Sequence, residues 1–253
     1  MDIKIFQVFH KEYPRSRTST WLKPFGVGAF GGEGVLSDGA GINIASLNAY
    51  YCELTAIYNV WKNLHFDYVG FCHYRRYLNF KHDSSMLDTT VPGEKSYAIE
   101  SGLIEYLSDE QQLAQLRRLL SVGDVIIPRK SILLPTIKSQ YLATTQNGPW
   151  FEFERCLREK YPQGVDPVSY FEVTPYSPIC NMFVMKRDIF DLYCADLFGV
   201  IKSVFSVIGT PFNAADNRYP GYLAERFLGW WLQRHRIVHL EVPLIFLKDP
   251  VAN

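Results

Sequence analysis

Phe66-Asp67-Tyr68-Val69-Gly70-Phe71-Cys72-His73-Tyr74-Arg75-Arg76 joins a short apolar run directly to a cationic cluster. A run this short, rich in aromatic and β-branched residues, reads as a strand buried on both faces. No turn residue follows it, so the strand delivers His73, Tyr74, Arg75 and Arg76 at its carboxyl end. Upstream, Tyr51, Leu54, Tyr58 and Trp61 recur at helical spacing and predict a helix over 49–63, with Asn48 as N-cap and Lys62 in the last turn. Residues 3–9 read as a first strand followed by His10. Residues 14–43, with Pro14, Pro24, Gly31-Gly32 and Gly39-Ala40-Gly41, read as one long loop region. Loops of that length inside a domain tend to serve as lids or binding loops.

Downstream, Ser108 with Gln111 matches a capping box for a helix over 108–122, and Gly123 fits its C′ position. Val125-Ile126-Ile127 is a strand stopped by Pro128. A helix around 150–160, a strand over 180–185, helices over 187–208 and about 221–234, and an alternating strand from Val238 to Phe246 complete the chain. Strands alternating with helices predict an α/β domain with a mostly parallel sheet. In such sheets ligands sit beyond the carboxyl ends of the strands. The positions that matter are therefore His10, residues 73–76, Arg129-Lys130 and Lys186-Arg187.

The composition narrows the classes. The 253 residues are 47% hydrophobic and 21% charged, which suits a folded globular chain. Lys+Arg 26 balances Asp+Glu 26, so there is no basic excess to hold a duplex, and nucleic acid is not expected as a partner. Cys52, Cys72, Cys156, Cys180 and Cys194 form no C-x-x-C pair and read as free thiols in a reducing compartment. The N-terminus lacks a basic segment followed by an apolar one, so a secretory signal is not expected. Ile189 to Gly209 is interrupted by Asp191, Asp196 and Lys202, each costing about 2.5–3.5 kcal/mol at mid-membrane, and reads as a buried amphipathic helix. A cytoplasmic location is expected, with peripheral contact at the inner membrane face left open.

Two adjacent arginines after a buried strand suit a phosphate or diphosphate, because guanidinium forks match anionic oxygens two at a time. The bland alternative is a surface salt bridge with one stacked arginine. Asp38-Gly39-Ala40-Gly41-Ile42-Asn43 permits close backbone approach to an anion, or is a plain glycine-rich turn; it is neither G-x-G-x-x-G nor a P-loop. Glu225 is a candidate general base, although beside Arg226 the residues alone favour a local ion pair. Glu53 lies off the apolar stripe and is either a solvated carboxylate or a site group. His235 and His239 lack the carboxylate pattern of a zinc helix. No G-x-S-x-G elbow exists. Leu78 stands where a Cys72 nucleophile of C-x5-R type would need arginine.

Asn48 to Asn63, reading N-A-Y-Y-C-E-L-T-A-I-Y-N-V-W-K-N, and D-Y-V-G-F-C-H-Y-R-R-Y-L from Asp67 closely resemble a bacterial family, the DUF4422 proteins of capsule, exopolysaccharide and O-antigen gene clusters. His10-Lys11, Asn181-Met182-Phe183-Val184-Met185 and Arg218 through Arg226 match three more of its motifs. Ile42 stands where the family pattern has a second acidic residue, and Ala45 precedes Ser46. The resemblance spans nearly the whole chain. It implies a single GT-A-like, Rossmann-related domain over 1–253 with a helical C-terminal part. It also implies a glycosyltransferase moving a hexose, UDP-linked and perhaps in a galactose form, onto a glycan or lipid-linked glycan. A non-catalytic sugar- or nucleotide-binding partner in a polysaccharide assembly complex is the alternative.

Most GT-A enzymes hold a divalent metal on a D-x-D after an apolar strand. Here His73-Tyr74-Arg75 occupies that place, so cations replace acidic ligands and no metal is expected. The resemblance then puts Arg75 and Arg76, with His10, Asp38 and Asn43, on the donor and its diphosphate. His73 assists and Glu225 acts as base. Tyr74, Asn181 and Glu53 are left for the donor or acceptor sugar.

Overall fold

The computed structural model describes residues 1–81, 94–97 and 101–247. In chain order the first half comprises β1 (Ile3–Phe9), β2 (Leu22–Gly26), β3 (Leu36–Ser37), α1 (Asn48–Tyr51), α2 (Leu54–Asn63), β4 (Tyr68–His73), β5 (Arg76–Leu78), β6 (Glu94–Tyr97), α3 (Ser101–Ser108) and α4 (Glu110–Leu120). There follow β7 (Val125–Pro128), β8 (Ser131–Ile132), α5 (Ile137–Thr144), α6 (Asn147–Lys160), α7 (Pro167–Val173), β9 (Tyr176–Ser177), β10 (Phe183–Lys186), α8 (Arg187–Ile208), α9 (Tyr219–Arg234), β11 (Leu240–Val242) and β12 (Leu244–Leu247). Ten of these strands share one sheet, with the path β11-β7-β10-β4-β1-β2-β3 and with β5, β12 and β6 branching from β4. The β1–β4, β1–β2, β2–β3 and β7–β11 pairs are parallel, and β10 runs against both β4 and β7. This is the expected α/β sheet of largely parallel sense, with an antiparallel strand inserted near its centre.

The sheet is covered on both faces, and the period-two alternation of its strands assigns each side chain to a face. Phe6, Val8, Val69, Phe71, Val125, Ile127, Phe183 and Met185 point to one side and meet the apolar stripes of α2, α6, α8 and α9. Ile3, Ile5, Phe9, Cys72, Ile126 and Val184 point to the other and meet Leu103, Leu107, Leu113, Leu116 and Leu120 of α3 and α4. The long apolar stretch after Lys186 is α8, whose Phe190, Leu197, Ile201 and Val204 are buried on one stripe. Among the described residues no helix is long and apolar enough to cross a membrane.

Several sequence expectations are corrected. The region 14–43 is not all loop: β2 pairs in parallel with β1 from Leu22 to Gly26. Pro24 hides this strand from the sequence. Its outer neighbour β3 reaches only Phe25 and Gly26, so a missing N–H at Pro24 faces no partner there. The expected helix over 49–63 breaks at Cys52, whose φ of 51° is left-handed. Asn48 is therefore no N-cap: its Nδ2 donates to the Cys52 carbonyl and to Thr55 Oγ1, stabilising the break. Asp109, not Ser108, caps α4 by accepting from the Gln112 amide at 2.7 Å, while Ser108 closes α3. The expected strand over 180–185 begins only at Phe183, because Cys180 and Asn181 form a left-handed turn. Pro243 divides the late strand into β11, on β7, and β12, on β5.

Gly70 marks the tightest point of the sheet. A Cβ there would lie 2.9 Å from the Phe183 carbonyl oxygen and from Val184 Cγ2, and 3.0 Å from Ile5 Cγ1. Backbone on the neighbouring strand cannot yield as a side chain does. Gly70→Ala is therefore expected to cost about 1–3 kcal/mol, which for a chain of this size lowers Tm by several degrees. Calorimetry of the variant checks this; an unchanged Tm would mean that β4 and β10 part locally at little cost.

Candidate active site

A cleft of about 610 Å³ opens at the carboxyl ends of the parallel strands. Val8 and His10 enter from β1, Val27 from just after β2, and His73 through Arg76 from the end of β4. The opposite wall is built from Asn48, Ala49, Cys52 and Glu53 at the break between α1 and α2, and from Arg218, Gly221, Tyr222 and Glu225 at the start of α9. Had α1 and α2 been one helix, successive residues would turn about 100° apart. The break lets Cys52 and Glu53 both face the cleft.

His73 Nε2 lies 2.6 Å from the Cys180 carbonyl oxygen. A carbonyl only accepts, so this contact assigns the proton to Nε2 and leaves Nδ1 as the acceptor. Burial pushes the imidazole below its ordinary pKa, Arg76 adds to this, and Glu53 opposes it, so His73 is neutral near pH 7. His10 is lowered by burial and then by Lys11, Arg218 and Arg75. Its ring meets Tyr74 edge-on at 4.9 Å, and Tyr74 also touches Tyr13 at 5.1 Å and sits 5.7 Å from the Arg75 guanidinium. The Arg76 guanidinium lies 5.0 Å from the Phe246 ring. Arg76 Nε is buried and has no hydrogen-bond partner among the described residues.

The two carboxylates of the cleft are held differently. Glu225 Oε1 accepts the Cys180 N–H at 3.1 Å, and Oε2 accepts Arg226 Nη1 at 2.7 Å. Burial raises its pKa; Arg226 opposes that and Glu53 reinforces it. The local Glu–Arg pair favoured by the residues alone thus exists, and the carboxylate still lines the cleft. Glu53 Oε1 accepts Asn181 Nδ2 at 2.6 Å. Cys52 Sγ receives Arg218 Nε at 3.1 Å, yet burial pushes the thiol up to about 11, so it is no nucleophile at neutral pH. None of the five cysteines is in a disulfide.

His10, Glu53, His73, Tyr74, Arg75, Arg76 and Glu225 are thus brought together in one cleft. Three expected site residues stand outside its lining. Asp38 is buried, and its Oδ2 accepts Thr55 Oγ1 at 2.6 Å and the Gly28 amide at 3.3 Å. Asn43 bridges the Gly39 and Gly41 carbonyls and accepts the Ala45 amide. Both side chains are committed to holding the glycine-rich loop. Asn181 is 2% exposed and sits behind Glu53. Arg218, Cys52, Tyr222 and Asn48 also line the cleft, and their sequence pattern does not mark them as site residues. Arg218 lay inside a quoted motif, but nothing in the pattern tells which of its residues turns inward.

The family described as "Domain of unknown function (DUF4422)" matches residues 4–236. The chain belongs to this family. This DUF4422 chain is also similar to a solved structure, the apo form of WbbM, described as a bifunctional glycosyltransferase, with a TM-score of 0.87 and 26% identity. The likeness covers 98% of this chain and 46% of that one, so the chain spans a little under half the length of that protein. No curated protein matches the sequence.

The histidine shifts have a definite sign. His73 binds a proton at its ordinary pKa of 6.5 when unfolded but resists it when folded. The unfolded state then holds more protons, and stability falls as pH drops below that value. His10 and His235, also lowered by burial, act in the same sense. Glu225 acts oppositely: its stabilising effect is lost as pH rises through its raised pKa. Urea midpoints measured at about pH 7 and pH 5.5 should fall on acidification, with a slope of at most about 1.4 kcal/mol per pH for each histidine. His73→Gln, which keeps a donor for the Cys180 carbonyl, should show a shallower fall. An equal fall in the variant would remove His73 from the account.

Proposed function

We propose that the chain is a glycosyltransferase domain that moves a hexose from a nucleotide-sugar to a glycan acceptor without a resident metal. The reading is carried by one juxtaposition: Arg75 and Arg76, at the carboxyl end of β4, share a single cleft with the carboxylates of Glu53 and Glu225. Similarity to a bifunctional glycosyltransferase supports the reaction class. UDP is the first nucleotide to test, and a lipid-linked glycan one acceptor class.

The chemistry follows from the charges. In sugar transfer the bond between the anomeric carbon and the diphosphate oxygen breaks, and its electron pair passes to the diphosphate. Something cationic must receive that developing charge. Two guanidiniums supply it through paired N–H donors. A divalent cation would need several oxygen ligands. Glu53 is already bonded to Asn181, and Glu225 to Cys180 and Arg226, and among the described residues no three candidate ligands gather. This donor set does not fit a metal. Glu225, its pKa raised by burial, takes the proton from the acceptor hydroxyl as the acceptor oxygen bonds to the anomeric carbon. With a base opposite the leaving group, the anomeric configuration inverts. His73, neutral, and Tyr74 line the same cleft, and in this reading Glu53 binds a sugar hydroxyl.

The tests are direct. Arg75→Ala and Arg76→Ala should each weaken binding of a UDP-sugar about 10–100-fold by titration calorimetry, since each removes a charge-assisted contact. Glu225→Gln should lower turnover at least about 100-fold while donor affinity stays within a few-fold. EDTA should leave the rate unchanged; activity lost in EDTA and restored by Mn²⁺ overturns the metal-free reading. A protein that binds the donor but never splits it, with or without acceptor, would be the non-catalytic partner instead.

A further inference from the structure

The turn between β9 and β10 is built against local preference. Cys180 and Asn181 both take left-handed backbone, with φ of 72° and 49°. Asparagine tolerates that region, but cysteine does not do so readily, and each such residue costs of order 1–3 kcal/mol. Such strain persists only where the surroundings over-determine it. Here they do. The Cys180 carbonyl holds His73 Nε2, and the Cys180 N–H holds Glu225 Oε1. The Asn181 side chain reaches Glu53 Oε1 at 2.6 Å and the Gly221 carbonyl at 3.2 Å. Two consecutive residues thus touch three side chains of the cleft, His73, Glu225 and Glu53, and the Gly221 carbonyl.

Both neighbours of Asn181 Nδ2 are acceptors, which fixes the amide with its NH₂ toward them. Its Oδ1 is then buried without a partner among the described residues. That is an arrangement costing about 1–3 kcal/mol. The backbone at 181 would be satisfied as well by glycine, which reaches positive φ freely and brings no orphaned oxygen. The side chain is therefore not needed for the turn's backbone; it ties one oxygen of Glu53, by the shorter of its two contacts, and the Gly221 carbonyl of α9 to the turn.

We infer that Asn181 is a positioning residue: from behind the cleft wall it fixes the Glu53 carboxylate at the joint between α1 and α2, leaving the other oxygen for a substrate hydroxyl. The inference rests on the reading of the cleft as a sugar-transfer site. Its core, that Asn181 sets the place of Glu53, is a statement about the protein without ligand.

Asn181→Gly separates this from a structural role. It keeps the left-handed backbone, and with it the Cys180 contacts to His73 and Glu225, while deleting the amide. A crystal structure of the ligand-free variant should show the Glu53 carboxylate displaced by about 1 Å or more with His73 and Glu225 in place, and kcat for sugar transfer should drop about 10–100-fold with little change in donor KM. Tm should stay within a few degrees of wild type. Glu53 undisturbed in the variant, wild-type kcat, or a large loss of Tm each overturns the inference. A wild-type protein that turns over no nucleotide-sugar sinks the functional reading instead, and the crystal structure then still decides the placement of Glu53.

Discussion

Between β1 and β10, strand β4 has no face left for water. Val69 and Phe71 are covered by the helices of one layer, Tyr68 and Cys72 by those of the other, and Gly70 lets Phe183 and Ile5 approach to the limit of contact. A strand so enclosed admits no charge along its length, since an unpaired charge in such an interior costs several kcal/mol. Its charged residues are displaced to the end, where the chain leaves the sheet. The cationic cluster at 73–76 and the cleft it lines both follow from that enclosure.

The cleft is an electrostatic balance of few members. Arg75, Arg76 and Arg218 supply fixed positive charge, Glu53 and Glu225 negative charge, and His10 and His73 are kept neutral by burial and neighbouring cations. Each carboxylate is restrained by a donor that is not itself a member of the lining, Asn181 for one and the Cys180 N–H with Arg226 for the other. The restraining groups lie on the β9–β10 turn and on α9, and the walls come from β4 and the α1–α2 joint. The cleft is therefore only as well formed as the docking of these elements on the sheet.

The sequence exposes what period and punctuation can carry. Weak apolar alternation at 3–9, the short apolar run at 66–72, helical stripes in α2, α4 and α8, and the abrupt His73-Tyr74-Arg75-Arg76 all survive into the structure. It conceals what depends on distant partners. Strand β2 contains Pro24 and ends in Gly26, both breakers by local rule, and is a strand only because β1 lies beside it. The left-handed backbone at Cys52 and Cys180 carries no local signal, yet Cys52 lines the cleft and Cys180 holds His73 and Glu225 from behind it. Asp38 and Asn43 looked like ligand groups because short polar side chains among glycines suit both binding and turn-building. In the structure their hydrogen bonds to Thr55, Gly28, Gly39 and Gly41 tie the loop together. For Glu225 the residues alone leave open a base or a partner of Arg226; in the structure it pairs with Arg226 and also lines the cleft.

The joint at Cys52 and Glu53 has an evolutionary corollary. Neither residue belongs to the regular part of α1 or α2, and the side-chain amide of Asn48, the first residue of α1, spans the gap to Thr55 of α2. Side chains at a joint of this kind are bound less tightly to a helical packing stripe than those on either flanking helix. A lineage carrying this scaffold is free to exchange them, and with them the shape and charge of that cleft wall, while the hydrophobic layers beneath go on unaltered.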